Sequence, residues 1–197
     1  MASTHRAPDR HETRPRPGIV VTVAAALVAL ACIGFAVVNV VFEMTDRFAE
    51  GPYAEHASAI SVMNWLVVAL KLLGAAVAIL SVTQPPRLLS PARLGVLLWG
   101  AFTLLSVYVL GSLVQAVGIA SGLMGSTDQL TMAGAAYVLF FLLLATGYGV
   151  LTVSYTRRHQ LRKSVTALGV VGGPVLLGVV LAAAPAALTA LGLMSET

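Results

Sequence analysis

Lys71 is the one charged side chain inside the long apolar runs of this chain, and it stands in the middle of the run 60–82. An ammonium buried at that depth costs roughly 2.5–3.5 kcal/mol on insertion scales, so it needs a partner, a wet cavity or a function. Three roles fit the residue type. It can be neutral or hydrogen-bonded in the interior, hold an anionic or carbonyl-bearing ligand, or pair with an acid on another protein's helix. No carboxylate lies inside an apolar run of this chain to neutralise it.

The other candidate chemistry sits at the end of the first run. Glu43 follows Phe42 directly and stands one helical turn from Asn39, with Asp46 a turn further on. Polar residues within the runs fall at similar depths when a rise of ~1.5 Å per residue is applied. Asn39, Asn64, Gln115 and Tyr137 come out ~5–8 Å below the outer boundary, and Lys71 and Tyr108 at ~16 Å. Helical spacing also assigns faces. Ser61, Asn64, Lys71, Ala75, Ala78 and Ser81 share one stripe, and Tyr108, Ser112, Gln115, Gly118 and Gly122 share another. Tyr137, Phe141, Tyr148, Thr152 and Tyr155 form a third, and Cys32, Phe35, Asn39 and Asp46 a fourth, with Glu43 alongside. If the first four runs enclose one interior, these stripes predict a polar vestibule with Glu43 and Asp46 at its rim and Lys71 and Tyr108 at its floor.

Plainer roles exist for most of these residues. Asn39, Asn64 and Gln115 serve as interhelical hydrogen-bond glue, worth about 0.6 kcal/mol each on average. Tyr137, Tyr155, Trp65 and Trp99 suit the interfacial aromatic belts. Glu43, Asp46, Glu50 and Glu55 suit a solvated loop. Lys71 has no such ordinary account.

Much familiar chemistry is missing. There is no phosphate-binding glycine loop, no metal-ligand spacing and no nucleophile motif, and the four histidines (His5, His11, His56 and His159) lie outside the runs. The expectation is therefore no cofactor and no metal. A lone cysteine, Cys32, rules out an intramolecular disulfide. The leading functional expectation is a membrane protein that binds or moves a lipophilic or anionic small molecule, or that serves as accessory subunit of a membrane complex. In that second form Lys71 pairs with the partner subunit. The alternative is a membrane-embedded enzyme on an isoprenoid or other lipophilic substrate. There Glu43 protonates the substrate, as in terpene-cyclase-like acid catalysis, and Lys71 positions a polar group. Phe35, Phe42, Tyr108, Tyr137 and Phe141 would then stabilise a carbocation through their ring faces.

The elements that must position these residues are five apolar runs, 19–42, 60–82, 94–119, 132–155 and 165–193. Each exceeds the roughly 20 residues needed to cross a hydrocarbon core. Hydrophobic residues make up 58% of the chain and charged residues 10%, with a mean hydropathy of +0.89. That balance excludes a water-soluble globule and a disordered chain. The fold class expected is an all-α, polytopic, five-helix membrane bundle.

Orientation follows from charge. Residues 1–18, the connection 83–93 and the connection 156–164 hold ten of the twelve Lys and Arg residues, whereas the alternate loops hold only Arg47. The positive-inside rule then puts the N-terminus in and the C-terminus out, which an odd number of spans requires. Basic loops of this kind are explained by topology and by anionic lipid, so nucleic acid is not an expected partner. The first run, at 24 residues, is longer than a secretory h-region and has no small-x-small cleavage site after it, so it reads as a retained anchor. Residues 1–18 read as a disordered cytoplasmic tail and 194–197 as a short external one. Alanine-, valine- and arginine-rich usage suggests a bacterial cytoplasmic membrane.

Small residues recur four apart at Gly74/Ala78, Gly118/Gly122, Ala145/Gly149 and Gly169/Gly173, a spacing that lets helices approach closely in lipid. Pro174 and Pro185 predict kinks in the last run. The first helix is expected to continue outward to about Glu50 before Gly51-Pro52 ends it.

Overall fold

Within the described residues, each apolar run folds as one helix. The computed structural model describes residues 16–49, 54, 57–83, 89–125 and 131–190. Its helices are α1 (Ile19–Met44), α2 (Ala57–Val82), α3 (Pro91–Ala120), α4 (Met132–His159) and α5 (Lys163–Ala190). The first four are long and apolar enough to cross a membrane, and α5 contributes Lys163–Val179 as a shorter apolar stretch among the described residues. The chain is thus all-helical and membrane-embedded, with several spans.

The helix ends carry their own signals. Ser90 accepts a hydrogen bond from the Arg93 amide ahead of Pro91, and Thr131 accepts one from the Gly134 amide, so α3 and α4 start on side-chain caps. At the other end, α1 stops earlier than the sequence predicts. Asp46 adopts a left-handed conformation with φ 50°. The Arg47 amide then returns to the Phe42 carbonyl and the Asp46 amide to the Glu43 carbonyl. That pair of bonds is a Schellman motif, and Asp tolerates its left-handed position better than most residues. The outward extension toward Glu50 therefore gives way to a turn at Thr45–Asp46.

Gly122, with φ +73°, closes α3 in the same way. Its amide reaches Ile119 and the Leu123 amide reaches Gly118. Gly118 and Gly122 thus belong to a helix stop, with Met124 folded back over Gly118, and the expected helix-crossing pair is not one. The connections at 50–53, 55–56, 84–88 and 126–130, the tail before Arg16 and residues 191–197 lie outside the described residues.

Helices α1–α4 form the shared interior that the stripe argument required. α1 packs chiefly on α2 and also on α4, α3 packs on α4, and α2 reaches both α3 and α4. Ala25, Ala29, Cys32 and Ala36 present a small-residue face on α1, and Ala75 and Ala78 are buried on α2. Leu94, Leu98 and Val109 of α3 join Phe141, Leu144, Tyr148, Leu151 and Tyr155 of α4 in the same core. The outward faces carry Val, Leu and Ile, as a lipid-facing surface does.

α5 stands apart from that interior and packs on α3. Gly100 of α3 meets Gly169 and Gly173 of α5 backbone to backbone. A Cβ built on Gly173 would stand 2.8 Å from the Gly100 Cα, and one on Gly169 only 2.8 Å from the Val96 carbonyl oxygen. Dispersion between backbones holds such a contact, because burial from lipid supplies little drive. Pro174 follows Gly173 without ending the helix.

Candidate functional site

The polar residues near the start of α2 are tied to the end of α1. Asn64 is buried, and its side-chain amide donates to the Asn39 carbonyl at 3.0 Å and to Glu43 Oε2 at 3.0 Å. The Ser61 hydroxyl donates to Glu43 Oε1. Asn39 turns its own amide back along α1 to the Phe35 carbonyl at 3.0 Å. Glu43 lies in the last turn of α1, where the helix dipole disfavours a carboxylate. The two donors from α2 offset that, and they fasten α1 to α2 at one level. An open cleft of about 200 Å³ lies beside this clasp, lined by Glu43, Asp46, Phe48, Ala57 and Ser61 among others.

One layer deeper the chemistry changes. Lys71 stands fourteen residues into α2, and its Nζ lies 4.7 Å from the ring centroid of Phe35 on α1 and 4.5 Å from that of Phe141 on α4. Desolvated cation–π contacts are worth about 2 kcal/mol each. Two of them together are of the same size as the roughly 2.5–3.5 kcal/mol that an ammonium costs on insertion. Two aromatic faces of the same chain are therefore a fourth role for Lys71, beyond the three that residue type alone suggested. Among the described residues Lys71 has no ion pair and no hydrogen bond, so its N–H donors are unspent.

Phe141 is the hub of this layer. Its ring meets Tyr108 of α3 at 4.7 Å and Tyr137 of α4 at 4.9 Å between centroids, as well as Phe35 and Phe140. Tyr108 is 42% exposed and Tyr137 44%, so both rings reach the bundle surface while touching the core. Neither phenol has a hydrogen bond among the described residues. Below, the Tyr148 hydroxyl approaches Cys32 Sγ at 3.8 Å.

The expected site residues thus fall into two groups. Asn39, Asn64, Glu43 and, at the rim, Asp46 form the outer one; Lys71, Tyr108 and Tyr137 form the inner one around Phe141. Gln115 joins neither. It is exposed, five residues from the end of α3, and has no hydrogen bond among the described residues. Phe42 also leaves the expected aromatic set and packs on Phe48 at 6.4 Å, because the α1 stop swings Phe48 back over it. Phe140 was not anticipated; it stacks on Phe35 at 5.9 Å and lies one position off the stripe that spacing assigned to α4.

Three further ties were invisible to spacing. The Trp99 indole donates to Thr156 Oγ1 at 3.1 Å, and Thr152 Oγ1 donates to the Leu98 carbonyl at 3.2 Å, which joins α3 to α4. Arg158 donates from Nη2 to the Ser81 carbonyl at 2.8 Å and so satisfies the end of α2. No group of His, Cys, Asp and Glu suited to a metal occurs among the described residues. No family model matches the chain, and no curated protein or solved structure matches it. What fold and residues define together is a multi-pass helical membrane protein with a lysine among aromatic rings inside the bundle.

Proposed function

We propose that this protein binds a lipophilic small molecule bearing an anionic or carbonyl head group, and that Lys71 holds that head. One observation carries the reading. Lys71, with Tyr108 and Tyr137 around the same Phe141 ring, presents hydrogen-bond donors for which the described residues supply no acceptor. An acceptor-bearing ligand completes such a set at mid-depth, where water is scarce. The exposure of both tyrosines gives a lipophile a lateral way in from the bilayer. The same reading takes the fold as five spans with the N-terminus in, on the alternation of loop charge, and as a bacterial cytoplasmic membrane protein on alanine-, valine- and arginine-rich usage.

Equilibrium binding to the detergent-solubilised protein tests it, with dodecanoate, its methyl ester and dodecane as probes. Affinity falls in that order for wild type and becomes equal and weak in Lys71→Met. Equal affinities in both proteins sink the proposal.

Acid catalysis on an isoprenoid by Glu43 is the second reading, favoured by the cleft that Glu43 lines with Asp46. Its difficulty is that the rings a carbocation needs, Phe35 and Phe141, already face Lys71. Turnover of a polyprenyl substrate that Glu43→Gln abolishes establishes it; turnover that survives the substitution removes it.

A further inference from the structure

The opposite end of α4 carries a feature that the Lys71 layer does not use. A shallow, open groove of about 550 Å³ lies on one face of α4, lined by Gly149, Val150, Val153, Ser154, Arg157 and Arg158. Its long wall is apolar and its end is doubly cationic. Val150 is 38% exposed and Val153 42%, so the wall faces lipid. Arg157 is exposed, and Arg158 is partly covered because one of its nitrogens is fixed to the Ser81 carbonyl. The buried Nε of Arg158 has no partner among the described residues.

Among the described residues no acidic side chain lies on α2, α3, α4 or α5. The acidic residues are Asp9, Glu12, Glu43, Asp46, Glu50, Glu55, Asp128 and Glu196. None falls between Glu55 and Asp128, nor between Asp128 and Glu196, which covers α2, α3, α4 and α5. Arg162 and Lys163 follow within six residues of Arg157 and add to the positive charge at this end. Guanidinium groups pair with phosphate through parallel N–H donors, a geometry that a lysine cannot offer. Apolar groove and cationic end thus match the two parts of one kind of molecule.

We infer that this groove is a binding site for an anionic phospholipid of the leaflet that faces the α4–α5 connection. The phosphodiester sits between Arg157 and Arg158 with the Ser154 hydroxyl as an additional donor, and an acyl chain lies along Val150 and Val153. The bound lipid steadies the Arg158 tie between α4 and the end of α2.

The test uses the full chain, delipidated in mild detergent and titrated with phosphatidylglycerol or phosphatidylcholine under native mass spectrometry. Wild type takes phosphatidylglycerol about tenfold more tightly, because the phosphodiester is common to both lipids but the choline cation of phosphatidylcholine is repelled by the paired arginines. Arg157→Gln, which leaves the Ser81 contact in place, lowers that preference, and R157Q/R158Q removes it at unchanged helicity by circular dichroism. Val153→Trp fills the groove and weakens both lipids. R162Q/K163Q, which lowers the charge equally outside the groove, keeps the preference. Loss of preference in R162Q/K163Q as large as in R157Q/R158Q would mean diffuse attraction and overturns the site. Displacement of phosphatidylglycerol by inorganic phosphate alone, or an undiminished preference in R157Q/R158Q, overturns it as well.

Discussion

Tyr148 of α4 places its hydroxyl in the space that Gly74 of α2 leaves open. A Cβ built on Gly74 would stand 2.6 Å from that oxygen and 3.5 Å from Cys32 Sγ. Three helices therefore meet at this point below Lys71, and the absence of a side chain at Gly74 sets how closely they do so. Gly74→Ala overpacks the junction and costs about 1–3 kcal/mol. Tyr148→Phe alone costs less, about 1 kcal/mol, since the only partner it loses is a thiol at 3.8 Å. In the double variant the cost of Gly74→Ala largely disappears. Thermal unfolding of the four proteins in one detergent measures the coupling.

The α1–α2 clasp gives a second expectation. Asn64→Leu leaves Glu43 Oε2 and the Asn39 carbonyl without their donor from α2. Interhelical hydrogen bonds in bilayers are worth about 0.6 kcal/mol on average and about 1.7 at most. Asn64→Leu falls at the upper end of that range, because one side chain makes both bonds. With Glu43→Gln already in place its cost is smaller. Unfolding by denaturant titration in micelles, run as a double-mutant cycle, checks both values.

α5 is held to α3 by glycine backbones, and this is separable from the rest of the bundle. Gly173→Ala forces a methyl group against the Gly100 backbone, which cannot move aside as a side chain end can. Gly178→Ala has open space around it and is the matched control. Proteolysis of the α4–α5 connection, near Gln160–Arg162, is expected to accelerate in Gly173→Ala and to stay at the wild-type rate in Gly178→Ala.

Topology is checked by reporters at the two ends of the chain. The loop charges predict that an enzyme active only outside the cytoplasm is active when fused after Thr197 and silent when fused before Met1. Activity at both ends, or at neither, contradicts an odd number of spans.

How far the sequence reached can be seen in particular residues. The five helices follow from apolar run length, since a span leaves no other way to satisfy its backbone, and the observed ends differ from the runs by a few residues. Asn64, Lys71, Ala75, Ala78 and Ser81 fall on one inward face because helical spacing alone decides facing within an element. What spacing lacks is the rotation and tilt of one helix against another. That is why Phe140 enters the Lys71 layer unannounced while Gln115 points outward. Arg158 reads as one more topological charge until α2 ends beside it. Gly118 and Gly122 show a different limit: glycines four apart signal either a helix crossing or a helix stop, and only the +73° φ of Gly122 separates the two. The pairing of Lys71 with rings instead of a carboxylate was open to inference from Phe35 and Phe141, yet it needed three helices in register.

The most direct test of Lys71 as a head-group residue is native mass spectrometry of the protein released from its own membrane in mild detergent. Wild type is compared with Lys71→Met and with Lys71→Arg. The account predicts a small lipophilic mass on wild type, partial retention on Lys71→Arg and none on Lys71→Met. The same mass on all three proteins, or the loss of a protein partner instead of a small molecule, contradicts it.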